Sequence, residues 1–278
     1  MKKVDSVFIF VFLVFFFTSL NFKNYNLANA KHLHGYMYNH LKNVINENDP
    51  TTYKDLKFIT KQNKVTWDKR YGNDAYEATF FIFKAKFHDS HDIQIFVNSE
   101  FKTHEKIAEV ALKFSKMIGQ IPLFLRKKVK WIIVHGPWKD KSKCTCKWYA
   151  YRDNGIFLHT EMVRKNEQEE TLIHESAHVS IDSYFYGSKN QSIWINAQKK
   201  DNASISKYAE KNPNREDVAE SIVAWVASRC KKARISKSAY KEINNTIPNR
   251  LKVLDDLIYI NQTYPLSCIN LLEKNRLD

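Results

Sequence analysis

The sequence predicts an α+β fold: a small mixed sheet with an edge strand, packed on one central helix and followed by a mainly helical C-terminal subdomain. Three observations carry this expectation. Between residues 92 and 184, alternating and 3.6-residue apolar patterns succeed one another in the order strand, helix, strand, strand, helix. A second long apolar helix, with its own start signal, lies at 212–229. Hydrophobic residues make up 44% and aromatic residues 14% of the 278-residue chain, ample for a core in one large domain or two small ones.

Taken in order, residues 1–30 form a leader. Lys2 and Lys3 precede an apolar run from Val7 to Leu20, and the small-x-small tripeptide Ala28-Asn29-Ala30 follows, the layout of a secretory signal peptide. The run is shorter than the roughly 20 residues a membrane-spanning helix needs, so the expectation is a secreted chain with no stable membrane span. Residues 31–91 read as an N-terminal extension, with a helical stretch near Tyr36–Ile45 and mixed segments ending in the alternating "ATFFIFKAKF". Propeptide, accessory subdomain and part of the scaffold all remain open for it.

Residues 92–278 form the main domain. "DIQIFVNSEF" alternates as a strand. From Lys102 to Ile118, the apolar residues Ile107, Val110, Ala111, Phe114 and Ile118 share one helical face, and Gly119 supplies a stop. "VKWIIVHGPW" is a second strand closed by Gly136-Pro137, and "NGIFLHTE" opens on a turn signal and reads as a third. Asn166, with Glu169 three residues on, makes a capping-box pattern for a helix running to about Tyr184, before Gly187. In "NPNREDVAESIVAWVASR", Asn212 can cap and Pro213 fits the first helical position, so a helix follows to Arg229.

Cys144, Cys146, Cys230 and Cys268 are even in number, as an oxidising compartment favours, and bridges from the Cys144/Cys146 loop to the C-terminal half are expected. Asn190, Asn202, Asn244 and Asn261 each begin an Asn-x-Ser/Thr sequon, of consequence only in a eukaryotic host. The formal charge is +14, and the leader carries three lysines against one aspartate. Such a field attracts acidic partners. The basic residues are scattered, however, and the densest cluster, Arg126-Lys127-Lys128-Val129-Lys130, is short; no nucleic-acid partner is expected.

The chemistry lies in "TLIHESAHVSID". His174 and His178 are four apart, one turn above each other on a helix, and can present imidazoles to a single ion. Glu175 is rotated by about 100° from His174, close enough to reach a water at that ion. Zinc lowers the pKa of a water from 15.7 toward roughly 7, and a carboxylate beside it can take the proton during attack on a carbonyl. Leu172, Ile173, Ala177 and Ile181 give the helix an apolar back to bury.

A five-residue motif recurs by chance, so a third ligand decides between a metal site and an ordinary core helix. A histidine ten residues past His174 is excluded, since that position is Tyr184. Asp182 lies on the same helix, about 12 Å from His174 along the axis, too far to converge well. The remaining candidates are Glu216 and Glu220 on the second helix, flanked by the apolar Ala219, Ile222, Val223 and Val226. Carboxylates on so apolar a helix need a cation or a donor. Glu216 as ligand, with Glu220 holding the ring N–H of a ligating histidine, satisfies both.

His174-Glu175-Ser176-Ala177-His178, followed downstream by Glu216-Asp217-Val218-Ala219-Glu220, resembles the gluzincin zinc metallopeptidases. The Glu-x-x-Ala-Glu form is most similar to the lethal-factor-like and related secreted zinc peptidases. The resemblance covers about residues 92–230. It implies a zincin-like fold, one Zn²⁺ per chain held by His174, His178 and Glu216, with Glu220 supporting, and hydrolysis of peptide or protein substrates with Glu175 as general base. It further implies a tyrosine ahead of the glutamate ligand that donates to the developing oxyanion. "SISKYAEKNPNRE" offers Tyr208, one residue earlier than the pattern. "NGIFLHTE" becomes the edge strand along which an extended substrate binds. The competing reading is a secreted, non-catalytic module with a vestigial or structural metal site that binds acidic partners through its charge.

Overall fold

The computed structural model describes residues 35–68, 75–136, 148–151, 154–160 and 167–260. The expected signal peptide, Cys144, Cys146, Cys268, the Asn166 cap and the Asn261 sequon lie outside these residues. The chain is mixed α+β, built on a six-stranded mixed sheet of order β1-β2-β3-β4-β6-β5.

Two long antiparallel strands, β1 (Tyr53–Trp67) and β2 (Ala75–Phe87), form one side of the sheet. β1 was not anticipated, because its charged sequence lacks an apolar alternation, and most of its side chains are exposed. β3 (Ile93–Asn98) adds antiparallel to β2, β4 (Trp131–His135) parallel to β3, and β6 (Gly155–His159) parallel to β4. β5 (Tyr149–Tyr151) closes that side, antiparallel to β6. The expectation that "NGIFLHTE" is the edge strand is therefore corrected: β6 is internal, and β5 lies outside it, the outermost strand on that side among the described residues. The chain reverses near Asn154, whose φ of 63° is the left-handed conformation asparagine tolerates, and lays three residues outside β6.

Alternation along the strands divides the core. Ile95 and Val97, Ile132 and Val134, and Ile156 and Leu158 face the helices in the large cluster. Phe80, Ile82, Phe96, Ile133 and Phe157 form a smaller cluster on the other face. On the helical face lie α2 (His104–Ile118), capped by the Thr103 hydroxyl, and α3 (Leu123–Arg126). α4 (Gln168–Ser180) carries "TLIHESAH" and is buried along nearly its whole length. It ends at Ser180 rather than near Tyr184; Ile181, at φ −114° and ψ −38°, separates it from α5 (Asp182–Phe185).

Beyond come α6 (Gln191–Asp201), α7 (Lys207–Lys211), α8 (Asp217–Trp225), α9 (Lys237–Thr246) and α10 (Pro248–Ile260). α8 continues through a π turn, Val226–Cys230, and packs against α4 with every residue from Asp217 to Trp225 buried. Cys230, at the end of that turn, is disulfide-bonded. The helix expected near Tyr36–Ile45 is only α1 (Met37–His40). It stops because the backbone N–H groups of Val44 and Ile45 are given to the buried Glu170 carboxylate instead of to helical carbonyls. Met37, Leu41, Val44 and Ile45 join the same buried cluster as α4 and α8. Among the described residues no helix is long and apolar enough to cross a membrane.

Candidate metal centre

α4 and α8 cross so that three side chains meet. His174 Nε2 and His178 Nε2 are 3.1 Å apart, and Glu216 Oε2 lies 3.1 Å from His178 Nε2 and 3.4 Å from His174 Nε2. Glu216 occupies the residue before α8, in a turn whose Glu216 N–H donates to Asn212 C=O at 2.8 Å. His174 and Glu216 are buried, and His178 is partly open.

The far side of each imidazole is held by a carboxylate. His174 Nδ1 is 3.1 Å from Glu220 Oε1, and His178 Nδ1 is 2.7 Å from Asp182 Oδ2. A carboxylate accepts, so each Nδ1 faces a proton acceptor and each Nε2 is turned to the common point. Two ring nitrogens and a carboxylate oxygen converge there at 3.1–3.4 Å. Ligand atoms around a tetrahedral ion with bonds of about 2.0–2.1 Å are roughly 3.3–3.4 Å apart, and the observed triangle has that size. The donor set therefore fits a divalent metal ion.

Glu220 is completely buried, and its second oxygen accepts from Met37 N–H at 2.8 Å and from the Ser206 hydroxyl at 2.5 Å. Ser206 also caps α7, accepting from Ala209 N–H. The same hydroxyl that anchors the carboxylate behind His174 thus starts the helix that carries Tyr208. The Tyr208 phenol is half-buried and hydrogen-bonds Glu216, and its ring lies 6.3 Å from that of His174 and 4.6 Å from that of Tyr36. Burial, then the Glu216 charge, pushes its pKa above the ordinary phenol value, so it keeps its proton as a donor.

Glu175 is buried next to the triad. Burial raises its pKa, opposed by the two histidines and by a backbone hydrogen bond from Ala150 on β5. Burial opposes ionisation of Glu216 as well, but hydrogen bonds from His174 and His178 win and hold it well below the usual carboxylate range. Its other oxygen, Oε1, pairs with the exposed Arg215 at 3.1 Å.

The structure brings together His174, Glu175, His178, Tyr208, Glu216 and Glu220. It adds Asp182, which sequence reasoning weighed only as a ligand; its spacing four residues past His178 was the signal for a support role. It also adds Ala150, on a strand too short to show periodicity. Asp217 points away, accepting from Trp194 Nε1 at 3.0 Å, Gln198 at 2.8 Å and Arg250 at 3.0 Å. No family model, curated protein or solved structure matches the chain.

Proposed function

We propose that the chain is a secreted zinc-dependent peptidase of the gluzincin kind, with a zincin-like fold, one Zn²⁺ at this centre and peptide or protein substrates. The observation that carries this is the triangle of His174 Nε2, His178 Nε2 and Glu216 Oε2, each histidine braced from behind by a carboxylate. When bound, the ion supplies Lewis acidity, which makes a water nucleophilic near neutral pH and polarises a carbonyl. Glu175, buried and with raised proton affinity, takes the proton of the attacking water and returns it to the leaving amine. Tyr208, protonated beside Glu216, donates toward the negative charge that develops on the carbonyl oxygen.

β5 gives the site a substrate platform. Among the described residues it is the outermost strand on that side of the sheet, and Ala150 on it contacts Glu175, so an extended peptide lying alongside it would run past the base. The presence of a carboxylate at Glu175, unneeded for holding the ion, favours catalysis over a purely structural metal module.

Glu175→Gln is expected to retain zinc and to lose roughly 10²–10⁴-fold in peptide hydrolysis, and a chelator should abolish hydrolysis by the native chain. Metal analysis alongside cleavage of a mixed peptide library reads both. Full activity in Glu175→Gln would sink the mechanism, and equimolar zinc with no cleavage by the native chain would favour the binding module.

A further inference from the structure

The face of the sheet turned away from α4 carries a second cluster. β4 and β6 run parallel with His135 paired to His159, and the two rings stack with centroids 5.1 Å apart. Ile133 and Phe157, two residues earlier on each strand, belong to the far-face cluster, so alternation places both imidazoles on that face. Asp68, just past the end of β1, meets them there. Its Oδ1 lies 2.9 Å from His159 Nε2, and its Oδ2 lies 3.5 Å from His135 Nδ1.

All three side chains are fully buried, and their potential ligand atoms gather within 4.8 Å of one another. His135 Nδ1 is also 3.3 Å from Asn98 Nδ2 and 3.4 Å from the Tyr76 hydroxyl. Three polar groups thus surround one ring nitrogen at 3.3–3.5 Å, the long limit of hydrogen bonding.

We infer that Asp68, His135 and His159 hold a second divalent ion of the zinc class, separate from the catalytic one. Two imidazoles and a carboxylate form a donor set that zinc accepts, and a divalent charge offsets the burial of the Asp68 carboxylate. Tyr76 donates to Asp68 Oδ2 at 3.2 Å, which orients the carboxylate as outer partners of metal ligands do. Complete enclosure suits a structural ion. Asp68 follows β1 and Tyr76 lies at the start of β2, while the histidines sit on β4 and β6, so the ion fastens that end of the β1–β2 pair across the sheet.

Zinc counting on the full chain after dialysis against metal-free buffer tests this, with His178→Ala disabling the first centre. Two equivalents in the native chain and one in His178→Ala are expected. Asp68→Asn should also hold one equivalent and melt at lower temperature. One equivalent in the native chain and none in His178→Ala would overturn the second site and leave the peptidase reading intact. One equivalent in both would support the second site and remove the first. Should Asp68→Asn fail to fold, the His178→Ala count still decides, because it leaves the far-face cluster untouched.

Discussion

Glu170 lies one helical turn before His174, and its chemistry is set by where the chain puts it. Its Oε1 accepts the N–H groups of Val44 at 2.6 Å and Ile45 at 3.4 Å, while its Oε2 is buried without a hydrogen-bond partner among the described residues. Burial pushes its pKa up to about 8, against the pull of the N–H donors. The folded chain therefore holds this proton more tightly than the unfolded chain, whose glutamates release theirs near pH 4.3. The contribution to stability is full below that value and is lost as pH rises toward 8, by roughly 2–4 kcal/mol. Glu170→Gln should remove that slope, so urea unfolding at pH 5 and pH 8 should differ less in the variant; identical pH dependence in both chains would place the proton elsewhere. At this scale the sequence was most informative. His174, His178, Glu216 and Glu220 were legible as a group because their residue types recur at helical spacings, and the structure brings them together. The Asp182–His178 pair had the same spacing, but it was weighed only against the ion. The Ala150–Glu175 contact is between backbone and side chain and leaves no trace in residue type.

Between elements, the dependence of the centre on α7 is the most testable relation. The Ser206 hydroxyl donates to Glu220 at 2.5 Å and accepts from Ala209 N–H at 3.0 Å, so one atom joins the brace behind His174 to the first turn of the helix bearing Tyr208. Ser206→Ala removes a helix cap, worth about 1 kcal/mol, and one donor from a fully buried carboxylate, worth about 1–3 kcal/mol more. The expected result is a lower melting temperature and a fall in kcat larger than any change in zinc content, because Tyr208 loses its anchor while the three proposed ligands remain. Unchanged kcat would mean that Tyr208 is placed by its contact with Tyr36 instead. Element boundaries were legible where periodicity is strong, as in α2 and β3, and failed where tertiary contacts override it. The Tyr36–Ile45 stretch has a helical pattern, yet Glu170 captures two of its N–H groups. β5 is three residues long and shows no pattern at all.

For the molecule as a whole, the order of strands could not be read from composition. β1 is mostly polar because it lies at the sheet's outer side, and the pairing of β5 outside β6 depends on a reversal that sequence alone does not orient. Net charge, by contrast, was legible from the start and acts at this scale. With 44 basic against 30 acidic side chains, the chain carries +14, and such a field raises the encounter rate of an anionic partner without altering chemistry at the site. Salt shortens its reach, from about 30 Å at 0.01 M to about 3 Å at 1 M. If the substrates are acidic, kcat/KM for a peptide with acidic flanks should fall by roughly three- to tenfold between low and high salt, while kcat stays level. A matched peptide with neutral flanks reports any general effect of salt on folding or metal retention, and should change little. Equal salt dependence for the two peptides would show that the charge serves solubility, and that substrate choice is made within reach of β5 and Glu175.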